Sequence, residues 1–103
     1  HSKDTGDTMT HYLILKFKPT MYTRKIYQES YDAFNEMVEK IEGVKSFQLK
    51  ENSIDRDVNG DLFLTLELAS KDMLQVYLDH PLHIAYANRI KPILEHKLSL
   101  DCE

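Results

Sequence analysis

The order in which the hydrophobic period changes along this 103-residue chain, two, 3.6, two, two, 3.6 and two again, leaves few folds open to it. From Thr10 to Lys18, the residues His11, Leu13, Leu15 and Phe17 alternate with Tyr12, Ile14, Lys16 and Lys18. That is the pattern of a half-buried strand, and it sets His11 on the face of the core leucines. Pro19 closes it. From about Thr23 to Glu42, a helix is predicted with Ile26, Tyr27, Ser30, Tyr31, Phe34, Met37, Val38 and Ile41 on one face, and Gly43 suits its C-terminal cap. Val44 to Glu51 returns to alternation, with Val44, Ser46 and Gln48 set against Lys45, Phe47 and Leu49. Asn59-Gly60 signals a hairpin, and Leu62, Leu64, Leu66 and Leu68 then share one face of a third strand. Ser70 is placed to cap a helix carrying Met73, Leu74, Tyr77 and Leu78, and His96 to Cys102 alternates as a last strand.

The resulting β-α-β-β-α-β order in one chain of this length points to an α+β, ferredoxin-like fold, a four-stranded antiparallel sheet with the helices on one face. The other face is left bare. Tyr12, Ile14, Phe47, Leu49 and Phe63, assigned to it by the alternation, are too apolar for water. A homodimer joined sheet to sheet is therefore expected, a dimeric α/β barrel that also adds buried surface to a modest core. The domain is expected to span 9–103, with Met9 a native start. His1 to Thr8, polar and lacking an apolar stretch, reads as a disordered or added extension.

Charge narrows the partners. A formal net charge of −4, from 13 basic and 17 acidic residues with no basic run, argues against nucleic acid. No apolar run approaches the ~20 residues of a bilayer span. The lone Cys102 forms no internal disulfide, and together with the absent leader it suggests a cytoplasmic location.

Chemistry gathers in Tyr77-Leu78-Asp79-His80-Pro81-Leu82-His83. Pro81 lacks an N–H and pushes His80 out of the α region, so one helix ends there and another begins. On one unbroken helix Tyr77 and His83 would point roughly 120° apart, at about 100° per residue. A kink at Pro81 lets both turn inward. His83, Ala87, Ile90 and Leu94 recur at helical spacing, which puts the imidazole on an apolar stripe as either a satisfied core histidine or an active one. Tyr27 and Tyr31, one turn apart, either pack or line a cavity beneath them. Asp55 to Gly60 matches the first half of an EF-hand loop, but position twelve is Leu66 and a strand follows, so calcium is not expected. Zinc is not expected either. The proline spoils the helical geometry of His80 and His83, and although His11 or His96 could join them, Cys102 is poorly placed to do so.

Taken together, Thr10-His11-Tyr12-Leu13-Ile14-Leu15-Lys16-Phe17-Lys18, Gly43-Val44-Lys45-Ser46-Phe47, Tyr77-x-x-His80-Pro81-x-His83 and Lys97-Leu98-Ser99-Leu100-Asp101 resemble the stress-responsive A/B barrel (Dabb) domain family from Met9 to Glu103. The resemblance implies a ferredoxin-like dimer whose sheets close into a barrel. A plant member to which the motif is similar, olivetolic acid cyclase, closes a linear polyketide by an intramolecular aldol condensation without a cofactor. By that resemblance His83 is the general base, Tyr77 the tyrosine that positions a carbonyl, and His11 a histidine of the same pocket. The chemistry is sound, since an imidazole of ordinary pKa near ~6.5 can take a proton α to a ketone while a phenol donates to the enolate oxygen.

The expected role is a small dimeric protein, free of cofactors, that binds an apolar or aromatic molecule in a cavity between helices and sheet, with His11, Tyr27, Tyr31 and His80 as ligand-binding residues. Two alternatives stand beside it. One is a cofactor-independent lyase or polyketide cyclase using His83 and Tyr77, or a related cofactor-free oxygenase. The other is a non-catalytic, stress-related assembly protein.

Overall fold

The computed structural model describes residues 8–103, so the expected extension His1–Thr8 lies outside it but for Thr8. The elements follow in the order β1 (Met9–Phe17), α1 (Arg24–Lys40), β2 (Val44–Glu51), β3 (Leu62–Leu68), α2 (Asp72–Asp79), α3 (Pro81–Ile90), a 3-10 turn (Lys91–Ile93) and β4 (Leu94–Cys102). The break at Pro81 divides the second helical stretch, giving β-α-β-β-α-α-β. The strands form one antiparallel sheet in the order β2-β3-β1-β4, the ferredoxin-like arrangement. No helix among the described residues is long and apolar enough to cross a membrane.

Local chemistry explains the first helix. Thr23 sits in an extended conformation, and its hydroxyl accepts from Ile26 N at 3.3 Å, satisfying one of the free amides of the first turn. The helix buries Ser30, Phe34 and Met37 against the inner leucines of the sheet, where Leu15, Leu62, Leu64, Leu66 and Leu68 are all sealed from water. Each such leucine contributes roughly 1.5–3 kcal/mol relative to exposure. Beyond Ile41 the chain turns at Gly43, whose φ of +96° is a region that side chains rarely adopt.

In β2 the structure departs from simple alternation. The register with β3 slips between Val44 and Ser46, leaving Lys45 as the extra residue of a β-bulge. One added residue inverts the faces beyond it. Phe47 and Leu49 therefore turn toward the helices, Phe47 with its ring 6.2 Å from that of Phe34 and Leu49 in the core, so they do not belong to the bare face. That face instead carries Tyr12, Ile14 and Phe63 together with Leu98 and Leu100 of β4, which are 68% and 62% exposed.

Asn59-Gly60 does not form a tight two-residue turn, because the link between β2 and β3 runs through residues 52–61. The loop is tied to β1. Lys16 Nζ donates to the carbonyls of Asp57 (2.7 Å) and Asn59 (3.0 Å), which pins the half EF-hand segment against the first strand. Asp61 N donates to Leu15 O at 2.7 Å, and a Cβ on Gly60 would lie 2.5 Å from Ile14 Cγ2. Glycine is required there by close approach. Ser70, expected as a helix cap, contributes its backbone carbonyl, which accepts from Met73 N at 3.1 Å, and α2 starts after Lys71 without a side-chain cap.

Candidate functional site

The α2–α3 break builds the site. His80 takes φ −70° and ψ 139°, and its Nδ1 accepts from Leu82 N at 3.1 Å, capping α3 with Pro81 in the first turn. This capping histidine lines a groove beside Gly43, Ala69 and Met73, not the cavity that takes in Tyr77 and His83, so the structure places it apart from them. Across the break the rings of Tyr77 and His83 stand 4.6 Å apart, and His11 from β1 lies 5.7 Å from Tyr77. All three line one cavity of about 490 Å³, whose deeper wall is the apolar Leu13, Leu15 and Phe34.

A hydrogen bond fixes the tautomer of His83. The Leu78 carbonyl, 3.1 Å from His83 Nδ1, can only accept, so Nδ1 carries the proton and Nε2 keeps the lone pair of a base. Burial holds the His83 imidazole below the ordinary histidine range, and the charges of His11 and Lys97 act the same way against the opposing pull of the Leu78 carbonyl. Near neutral pH the ring is therefore uncharged. His11 Nδ1 lies 2.5 Å from Asp101 Oδ1, a carboxylate that orients the ring from 90 residues away.

Tyr77 is fully buried, and its hydroxyl is the one buried side-chain polar atom among the described residues without a partner. Burial pushes the phenol far above its ordinary value, so it stays protonated and available as a donor. Tyr86, on the same cavity wall, is by contrast satisfied by Ser30 Oγ at 2.7 Å. An orphaned buried hydroxyl costs about 1–3 kcal/mol. Tyr77→Phe is accordingly expected to stabilise the ligand-free protein by about 1 kcal/mol in thermal or urea denaturation. A comparable loss of stability would mean that the hydroxyl has a partner, such as an ordered water.

Tyr27 and Tyr31 lie off this cavity. Tyr31 is 40% exposed and meets Phe47 edge-on at 5.0 Å, while the Arg24 guanidinium covers the Tyr27 ring at 4.4 Å. They ride the flank of α1 facing β2, and the cavity opens at the opposite edge of the sheet, beside β4. Three cavity features escape a reading of local period: Tyr86 with Ser30, Asp101, and Lys97. A faint signal exists for the last two, because Lys97, Ser99 and Asp101 alternate against Leu98 and Leu100. The register of β4 on β1 turns the polar set inward. Among the described residues no group of three or more His, Cys, Asp or Glu is placed to hold a metal. A neutral imidazole beside a protonated phenol, in an apolar hollow, can hold a carbonyl oxygen and take a proton from the neighbouring carbon.

Comparisons agree on the architecture. A dimeric ferredoxin-like protein of unknown function from Thermobifida fusca matches with a TM-score of 0.79 at 20% identity, covering 99% of this chain and 95% of that one. A Dabb family protein with a ferredoxin-like fold from Mesorhizobium loti matches with a TM-score of 0.73 at 22% identity, covering 94% and 96%. A hydroxynitrile lyase from Passiflora edulis matches with a TM-score of 0.77 at 12% identity, covering 93% and 92%. At these identities the likeness is one of fold. No curated protein matches the chain by sequence. The model of the stress responsive A/B barrel domain, however, matches residues 9–103, from the first residue of β1 to the end of the chain. With that match over the whole sheet and every helix, the chain belongs to the Dabb family.

Proposed function

We propose that the protein is a homodimer joined through its open sheet faces, and that each protomer binds a small apolar or aromatic molecule bearing a carbonyl oxygen in the cavity beside β4. The observation that carries this reading is the orphaned Tyr77 hydroxyl, since a ligand oxygen would complete the one hydrogen bond that the buried side chains of the described residues leave unmade. That hydroxyl is sealed from water, so a ligand that meets it also displaces part of the wall. Dimeric relatives of the same fold accord with the assembly.

A second reading, a cofactor-independent lyase or aldol-type cyclase, is favoured by the tautomer of His83. With Nδ1–H held by Leu78, Nε2 would take the proton from the carbon next to the carbonyl, and Tyr77 would donate to the enolate oxygen that forms. A lyase on this fold is in keeping with that chemistry.

One ketone, 4-phenylbutan-2-one, tests both readings. Saturating it at a hundred times its dissociation constant should stabilise the wild type by about 2.7 kcal/mol, several degrees in melting temperature, and His83→Ala should lose most of the shift. In D₂O the wild type should exchange the α-protons of the ketone at least a hundredfold faster than His83→Ala if His83 acts as base. Binding without exchange leaves the binding reading alone. No shift for this or related aromatic ketones would remove both, and a particle larger than a dimer in light scattering would then favour an assembly role.

A further inference from the structure

The chain carries a net charge of −4, yet among the described residues no aspartate or glutamate lines the cavity directly, Asp101 reaching it only through its contact with His11. Its charged side chains there are Lys91, at the end of α3, and Lys97, on β4. The pairing of β4 with β1 explains the second. Leu15 lies opposite Lys97, Leu13 opposite Ser99 and His11 opposite Asp101, so this edge strand turns its polar residues to the cavity and its leucines to the open face. That is the reverse of what a strand with a watery outer face and a filled inner one would do.

Asp101 is held by His11 at 2.5 Å, and neither Lys91 nor Lys97 has an ion-pair partner among the described residues. Lys97 is also near enough to help hold His83 in its neutral form. Two uncompensated ammonium groups over low-dielectric walls attract negative charge into the hollow more strongly than they would on an open surface. Both lysines are exposed, while Leu15 and Phe34 are buried, so charge lies at the mouth and apolar surface lies deep.

We infer that the molecule taken up is an anion, an apolar or aromatic monocarboxylate whose carboxylate is held at the mouth by Lys97 and Lys91 while its apolar end lies among Leu13, Leu15 and Phe34. This rests on the ligand-binding reading and adds to it the charge of the ligand. The rim lysines would then select the ligand, and His83 with Tyr77 would meet whatever carbonyl lies further along it.

The experiment compares 3-phenylpropanoate with the neutral 3-phenylpropanamide by isothermal titration calorimetry at low salt, on the wild type and on Lys91→Gln/Lys97→Gln. The wild type should bind the carboxylate at least about fivefold more tightly than the amide, as expected for one charge contact in partial solvent. The double variant should lose that preference while its affinity for the amide stays unchanged, which also shows that its fold and cavity are intact. Equal binding of the two compounds by the wild type would overturn the anion assignment and leave the cavity reading standing. A preference that survives in the double variant would overturn the role of the lysines. If the wild type binds neither compound but responds to 4-phenylbutan-2-one, the anion assignment alone is lost. If it responds to none of the three, the cavity reading falls with it.

Discussion

Gly43→Ala is expected to lower the melting temperature by on the order of 10 °C. Two effects add. An alanine at φ +96° is strained by roughly 1–2 kcal/mol, and its Cβ would stand 2.1 Å from Met73 Sδ and 2.7 Å from Met73 Cγ. Met73 packs against the core, so swinging it aside exchanges the clash for a void. A total near 2 kcal/mol corresponds to about 8–16 °C for a domain of this size. Gly43→Ala/Met73→Ala would separate the contributions in a double-mutant cycle, because truncating Met73 relieves the clash and leaves the backbone strain. A single variant melting within a degree or two of the wild type would refute the account of this turn.

Leu98→Glu is expected to turn a dimer into a monomer. On the open face Ile14 pairs with Leu98 and Tyr12 with Leu100 across adjacent strands, and Tyr12 stacks on Phe63 at 6.1 Å, making one continuous apolar band. With Leu98 and Leu100 more than half exposed in a lone protomer, this is the area that a second sheet would cover. A carboxylate placed there without a partner costs several kcal/mol on burial, so the dissociation constant should rise at least about a hundredfold. Multi-angle light scattering at micromolar concentration should then give the 12.1 kDa of one chain for the variant and twice that for the wild type. A monomeric wild type, or a variant that stays dimeric with its fold intact, would rule out pairing through this face. The substitution itself should leave the protomer folded, because Leu98 is outside the core.

Fold and site were legible to different degrees. Wherever a residue's surroundings are set by its own periodic neighbours, sequence and structure agree: β1 keeps His11, Leu15 and Phe17 inward, α1 buries Phe34 and Met37, and Pro81 ends one helix and opens the next. Where a single irregularity shifts the period, the pattern misleads. The bulge at Lys45 is such a case: no composition signal marks it, and it moves Phe47 and Leu49 from one face of the sheet to the other. Tyr27 and Tyr31 share the helical stripe of Phe34, yet the breadth of that stripe hides that they lean toward β2 and away from the cavity.

By itself, the sequence determined the succession of strands and helices, the break before His83 and the leucine face of β3, because each follows from dihedral preferences and burial periods acting over a few neighbours. Only the tertiary structure decided that Asp101 orients His11, that Ser30 satisfies Tyr86 while Tyr77 goes without, and that β4 turns Lys97 inward and Leu98 outward. Those facts depend on strand register and on contacts between residues 56 to 90 positions apart. Such contacts are chosen by how whole elements pack, and no local window of the chain contains them.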